Sequence, residues 1–205
     1  MFYVAILFHI VFIFLPFLIP FLKQKKLNCS FIVKCMSYSY GVLVLICLFR
    51  VGVQFRVYTY PLALLVGYIS YLTSVLILNR RISMVCFWPF RGGRISWRIL
   101  LSSIKVATLE EVQWRGFLKI IALKNSVIIL MFECIMFCLS HIYANYRKLR
   151  IADFMDLFLF ALVISIIFCI TYDIGFCVII HATRNILATA LRNKESIYCS
   201  LEEKQ

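Results

Sequence analysis

Two adjacent carboxylates, Glu110 and Glu111, lie inside a long apolar run together with Arg115. Ionised groups are expensive to keep in hydrocarbon, so residues of this kind mark a functional site by default. Two later apolar stretches carry polar groups of their own, Phe137-Cys138-Leu139-Ser140-His141 and His181-Ala182-Thr183-Arg184-Asn185. On a helix, residues four apart share a face. Glu111 and Arg115 can therefore pair, which lowers the cost of carrying both. Glu110 is turned about 100° from Glu111 and is left to face the interior of a helical bundle. His181 and Asn185 are also one turn apart and can point at one spot, while His141 comes from a third helix.

A carboxylate, two imidazoles and an amide in a dry cavity suit peptide hydrolysis. Glu110 with His141 would hold and deprotonate a water, since a partly desolvated carboxylate is a better base. His181 and Asn185 would donate to the developing oxyanion, an effect commonly worth about 3 kcal/mol per donor. The Glu111–Arg115 pair would fix the orientation of Glu110. Each stretch alone has a plainer reading. An intramembrane His or Asn often serves as hydrogen-bonding glue between helices, and a buried Glu–Arg pair can simply set helix register. The catalytic reading rests on all three stretches in order, one per helix. Glu133, two turns before His141, faces the same cavity or pairs with Arg184, which could instead snorkel to the interface. Cys134, Cys138 and His141 share a face, as in a soft metal site, although thiols at helical spacing more often pack.

The elements that must position these groups are membrane spans. The chain is 63% hydrophobic and 15% charged, with 19 Phe and 7 Gly in 205 residues. That excess lies in long uncharged runs, the mark of a polytopic membrane protein. The formal charge of +13 sits in short spacers between apolar runs, as in cytoplasmic membrane loops, and not on one face as nucleic-acid binding requires. The 9 Cys are odd in number, mostly intramembrane and without a Cys-x-x-Cys pair, which argues against a disulfide framework.

The expected architecture is an all-α integral membrane protein of about seven transmembrane helices. The spans read as 1–22, 31–49, 57–78, 95–121, 126–146, 154–172 and 176–191. The first lacks a positive n-region and a cleavage site, so it reads as a span and not a removed signal. A basic loop with Arg80, Arg81, Arg91, Arg94 and Arg98 follows the third span, and Trp88, Pro89 and Gly92-Gly93 suit a loop in the interface. Lys and Arg concentrate after the odd-numbered spans. The positive-inside rule then puts the N-terminus outside and the C-terminus in the cytoplasm. The chain divides into N-terminal helices with the basic loop (1–94), a catalytic helical core (95–192) and a cytoplasmic tail (193–205).

The three motifs resemble those of the CPBP family, the CAAX proteases and bacteriocin-processing enzymes also called Abi proteins. Its pattern is Glu-Glu-x-x-x-Arg, then Phe-x-x-x-His, then His-x-x-x-Asn or Asp. Glu110, Glu111 and Arg115 match the first, Phe137 and His141 the second, His181 and Asn185 the third. Gly116 is also typical, and Trp114 stands where the family usually has Phe. The resemblance covers 100–191; the first half resembles nothing beyond membrane spans. It implies a helical intramembrane bundle that cleaves peptides in or near the membrane. It also implies a glutamate mechanism in which Glu110 and His141 activate water and His181 and Asn185 form the oxyanion hole. Substrates would be hydrophobic, lipidated or leader peptides, as in CAAX-type or in bacteriocin and pheromone processing. The partners would be that peptide and the lipid bilayer, with no cofactor.

Two rival readings remain open at this point. A non-proteolytic bacteriocin self-immunity or membrane scaffold protein would keep the helices without the reaction. A zinc-dependent version of the same protease would use Glu110, His141 and His181 as ligands. A transporter is disfavoured, because broken half-helices around a midplane site are not evident.

Overall fold

In a computed structural model of the chain, the described residues are 38–44, 54–78, 96–121, 127–144 and 150–202, with 7, 10, 11, 35 and 46 besides. They are almost wholly helical. A 3-10 turn, Val57–Thr59, leads into α1 (Tyr60–Ile77), followed by α2 (Trp97–Ile121), α3 (Val127–Ala144), α4 (Ile151–Thr171) and α5 (Ile174–Glu202). Among the described residues the β-type pairing is a single isolated bridge between Gln54 and Asp173. These helices coincide with the third to seventh expected spans. The first two, 1–22 and 31–49, lie largely outside the described residues, except that 38–44 is helical. The basic loop after the third span also lies outside them, except that Arg98 falls in α2.

Among the described residues, three helices are long and apolar enough to cross a membrane: Val57–Ile77, Ile151–Thr171 and Ile174–Leu191. A shorter apolar stretch covers Val127–His141. α2 carries the most charged side chains of the five: Arg98, Lys105, Glu110, Glu111, Arg115 and Lys119. Such a helix needs protein around its charged face. α5 has 29 residues; at about 1.5 Å each it outruns a hydrocarbon core of roughly 30 Å. The segment from 193, read from sequence as a tail, continues this helix to Glu202. Apolarity falls after Leu191, which ends the span without ending the helix.

The chain forms two compact units, 1–55 with 109–174 and 56–108 with 175–205. In the first unit α3 packs along α4. The buried face of α4 is Asp156, Phe160, Ala161, Ile164, Ser165 and Phe168, the four-residue rhythm of one helical face. Met155, Leu159, Val163, Ile166 and Ile170 are exposed, as suits a face turned to lipid. Ser165 Oγ donates to the Ala161 carbonyl at 2.7 Å and lies 3.6 Å from Cys134 Sγ on α3. At the N-terminus of α4, Arg150 grips Asp153 with two bonds of 2.7 Å. The Asp153 carboxylate also favours the positive end of the helix dipole. α4 ends at Tyr172, in the left-handed region at φ 51°, with its N–H on the Phe168 carbonyl at 2.7 Å. Gln54 N–H then donates to the Tyr172 carbonyl at 3.3 Å.

In the second unit α1 lies against α5. A Cβ on Gly67 would fall 2.7 Å from Thr183 Cβ and 2.8 Å from the Ile180 carbonyl oxygen, so only glycine lets the helices come this close. Further along, Tyr71 and Val75 pack on Leu187 and Leu191, and Arg184 Nη2 donates to Ser74 Oγ at 3.4 Å. Residues later on α1 meet residues later on α5, so the two helices run parallel.

Candidate active site

The second half of α2 and the C-terminal half of α3 meet antiparallel in two rungs. Glu110 Oε2 lies 3.2 Å from His141 Nε2. One turn along, Trp114 meets Phe137 edge-to-face, with ring centroids 5.7 Å apart at 80°. Residues 110 and 114 are one turn apart on α2, and 137 and 141 are one turn apart on α3. The one-turn spacing of Phe137 and His141 matches that of Glu110 and Trp114, which lets the two helices make both contacts.

Phe137 is the hub. Its ring lies 4.1 Å, centroid to centroid, from the His141 imidazole. Its carbonyl oxygen receives Nδ1 of His141 at 2.9 Å and the hydroxyl of Ser140 at 2.8 Å. The Arg115 guanidinium stands 5.5 Å from the same ring, in cation–π range. A carbonyl oxygen can only accept, so Nδ1 carries a hydrogen. Nε2 then either donates to a Glu110 carboxylate or accepts from a Glu110 carboxylic acid. In both cases the pair holds one proton across the contact. Glu110 and His141 side chains retain 22% and 25% of their exposure, respectively, so both remain open to a small molecule.

Behind them, Glu111 Oε2 and Arg115 Nε pair at 3.2 Å, both fully buried. Among the described residues the Nη atoms of Arg115 make no hydrogen bond, and the Glu111 carboxylate and the Phe137 ring are the groups that face that cation. Glu133, one turn before Phe137, is also buried. His141 turns one nitrogen to Phe137 and the other to Glu110, and Cys134 faces Ser165. Within this unit, among the described residues, no three His, Cys, Asp or Glu side chains are gathered to hold a metal ion, the Cys134–Cys138–His141 face included.

His181 and Asn185 lie in the second unit, one turn apart on one face of α5; His181 is buried and Asn185 half-buried. Ile180 and Thr183, the residues that Gly67 admits, flank His181. Arg184 is buried against Ser74 and does not snorkel. Two features escaped the sequence reading. Asp156 is a buried carboxylate on α4, and the rule that singled out Glu110, a charge inside an apolar run, applied to it equally. Tyr40 is buried with its hydroxyl on the Gln113 carbonyl at 3.2 Å; nothing in its local sequence marks it.

Residues 92–187, a little under half of the chain, match a family model described as type II CAAX prenyl endopeptidase Rce1-like. The matched segment contains all three motifs and agrees with the CPBP resemblance. The match is consistent with a CPBP-type helical bundle and supports, in general, a membrane-embedded endopeptidase of the CAAX type. No curated protein and no solved structure matches the chain.

Proposed function

We propose that the protein is an intramembrane endopeptidase of the glutamate type, acting on peptides with a hydrophobic or lipidated C-terminal part or on hydrophobic leader peptides. The observation that carries the reading is the Glu110–His141 contact at 3.2 Å with Nδ1 already committed to Phe137. In the charge-separated form, Glu110 is a carboxylate base and His141 an imidazolium acid. Glu110 takes a proton from water, and the water oxygen attacks the scissile carbonyl carbon. His181 and Asn185 donate to the oxyanion that forms. When the tetrahedral intermediate collapses, His141 Nε2 gives its proton to the departing amine. The proton on Glu110 then crosses to His141 and restores the resting pair. One water is consumed, and one acid and one amine are released. The Glu111–Arg115 pair orients Glu110, and the chain lies in the bilayer with its N-terminus outside and its C-terminus in the cytoplasm.

Comparative peptidomics of cells carrying the wild type or Glu110→Ala tests the proposal. Peptides cleaved only with the wild type support it and identify the substrate; identical peptide pools contradict it and favour a binding or immunity role. Purified protein settles the metal question. The glutamate mechanism predicts activity that survives chelation. One tightly bound zinc per chain, lost and regained with activity, would make Glu110, His141 and His181 zinc ligands instead.

A further inference from the structure

We propose that the 38–44 segment, outside the family match, positions the catalytic carboxylate through Tyr40 and Gly41. This rests on the proposed function of Glu110. Tyr40, Gly41 and Val44 are buried, whereas Tyr38, Val42 and Ile46 are exposed. The buried residues form one stripe of a helix, turned to protein. Two contacts tie that stripe to α2. The Tyr40 hydroxyl donates to the Gln113 carbonyl at 3.2 Å in a buried setting. A helical carbonyl has two lone pairs, so it takes this bond besides its intrahelical one. Gly41 faces the same helix: a Cβ there would lie 3.6 Å from Leu109 Cδ2 and 4.0 Å from Gln113 Nε2, in ordinary contact, so a larger side chain would meet α2.

Leu109 and Gln113 are one turn apart and define one face of α2. Glu110 is one residue on, about 100° round the axis. A helix held along the 109–113 line cannot turn about its own axis, and that turn is the motion that would swing Glu110 off His141. Trp114 against Phe137 fixes the neighbouring face, so α2 is held on both sides of the catalytic residue. Displacement of a reacting group by about 1 Å can cost on the order of 100-fold in rate, so a smaller rotation has a measurable effect.

The test uses the purified full-length protein and a cleavable peptide, with Glu110→Gln as the inactive reference and kcat and KM determined on the folded, monodisperse fraction. Tyr40→Phe removes one oxygen. It should lower kcat roughly fivefold or more, with KM within about twofold, as expected when a chemical group is misplaced and binding is untouched. Gly41→Leu should push α2 round and lower kcat more than Tyr40→Phe does. Wild-type kcat in both Tyr40→Phe and Gly41→Leu, or a rise in KM alone, overturns the inference. A wild-type protein no faster than Glu110→Gln overturns the endopeptidase reading itself, and this inference with it.

Discussion

The Phe137 carbonyl holds Nδ1 of His141 at 2.9 Å, while the Phe137 ring packs on the same imidazole. One residue thus sets both the tilt of the histidine and the nitrogen it presents to Glu110. The ring accounts for the Phe of Phe-x-x-x-His, because a flat ring stacks on the imidazole; the carbonyl contact accounts for the spacing, since any backbone one turn before the histidine supplies it.

A pair that holds one proton across its contact should be active only while it holds that proton. At low pH Glu110 is protonated and there is no base. At high pH the shared proton is gone and the leaving amine has no donor. The rate should therefore follow a bell, whose limbs belong to the pair and not to either residue. In His141→Gln the residual activity should lose its alkaline limb; a pH profile for that variant with both limbs intact contradicts the assignment.

Phe137 variants separate ring from carbonyl. Phe137→Ala removes a buried ring and should cost about 3–5 kcal/mol of stability. Phe137→Leu keeps the carbonyl and most of the apolar volume, so it should be better tolerated in denaturant titrations while still reducing turnover through the lost stacking.

The Glu111–Arg115 pair calls for a double-mutant cycle. Arg115→Met alone leaves a buried carboxylate uncompensated and should destabilise by about 3–5 kcal/mol. Adding Glu111→Gln should recover much of that loss, because the double variant buries no net charge. A double variant as unstable as the sum of the singles would mean that the two side chains do not act as a pair.

Gly67 sits where a methyl group would overlap Thr183 and the Ile180 carbonyl. Gly67→Ala should destabilise by about 1–3 kcal/mol, since backbone on one side cannot yield as a flexible side chain would. An unfolding midpoint unchanged from wild type would show that α1 and α5 part without cost.

The sequence showed the five described helices well, because long apolar runs have few alternatives. It also showed the Glu111–Arg115 pair and both members of the Glu110–His141 contact, since helical spacing and the cost of buried charge act locally. Other features depended on which helices meet. Tyr40 reads as one more aromatic in an apolar span until Gln113 is seen beside it, and Gly67 reads as a neutral small residue until α5 is placed against it. The α4–α5 turn ends on Tyr172 in the left-handed region and is braced by Gln54, more than a hundred residues away. Asp156 was visible as a carboxylate inside an apolar run, but it belongs to none of the three motifs. The length of α5 was hidden because charge after Leu191 marks the end of a membrane span but not of a helix.

The most direct test of the account is Glu110→Gln in purified protein on a cleavable hydrophobic peptide. The substitution keeps the shape of the side chain and removes the base. The predicted result is a loss of about 100-fold or more in turnover, with peptide still bound and the unfolding midpoint near that of the wild type. Full turnover in Glu110→Gln would contradict hydrolysis by this residue and leave the three motifs as packing between helices.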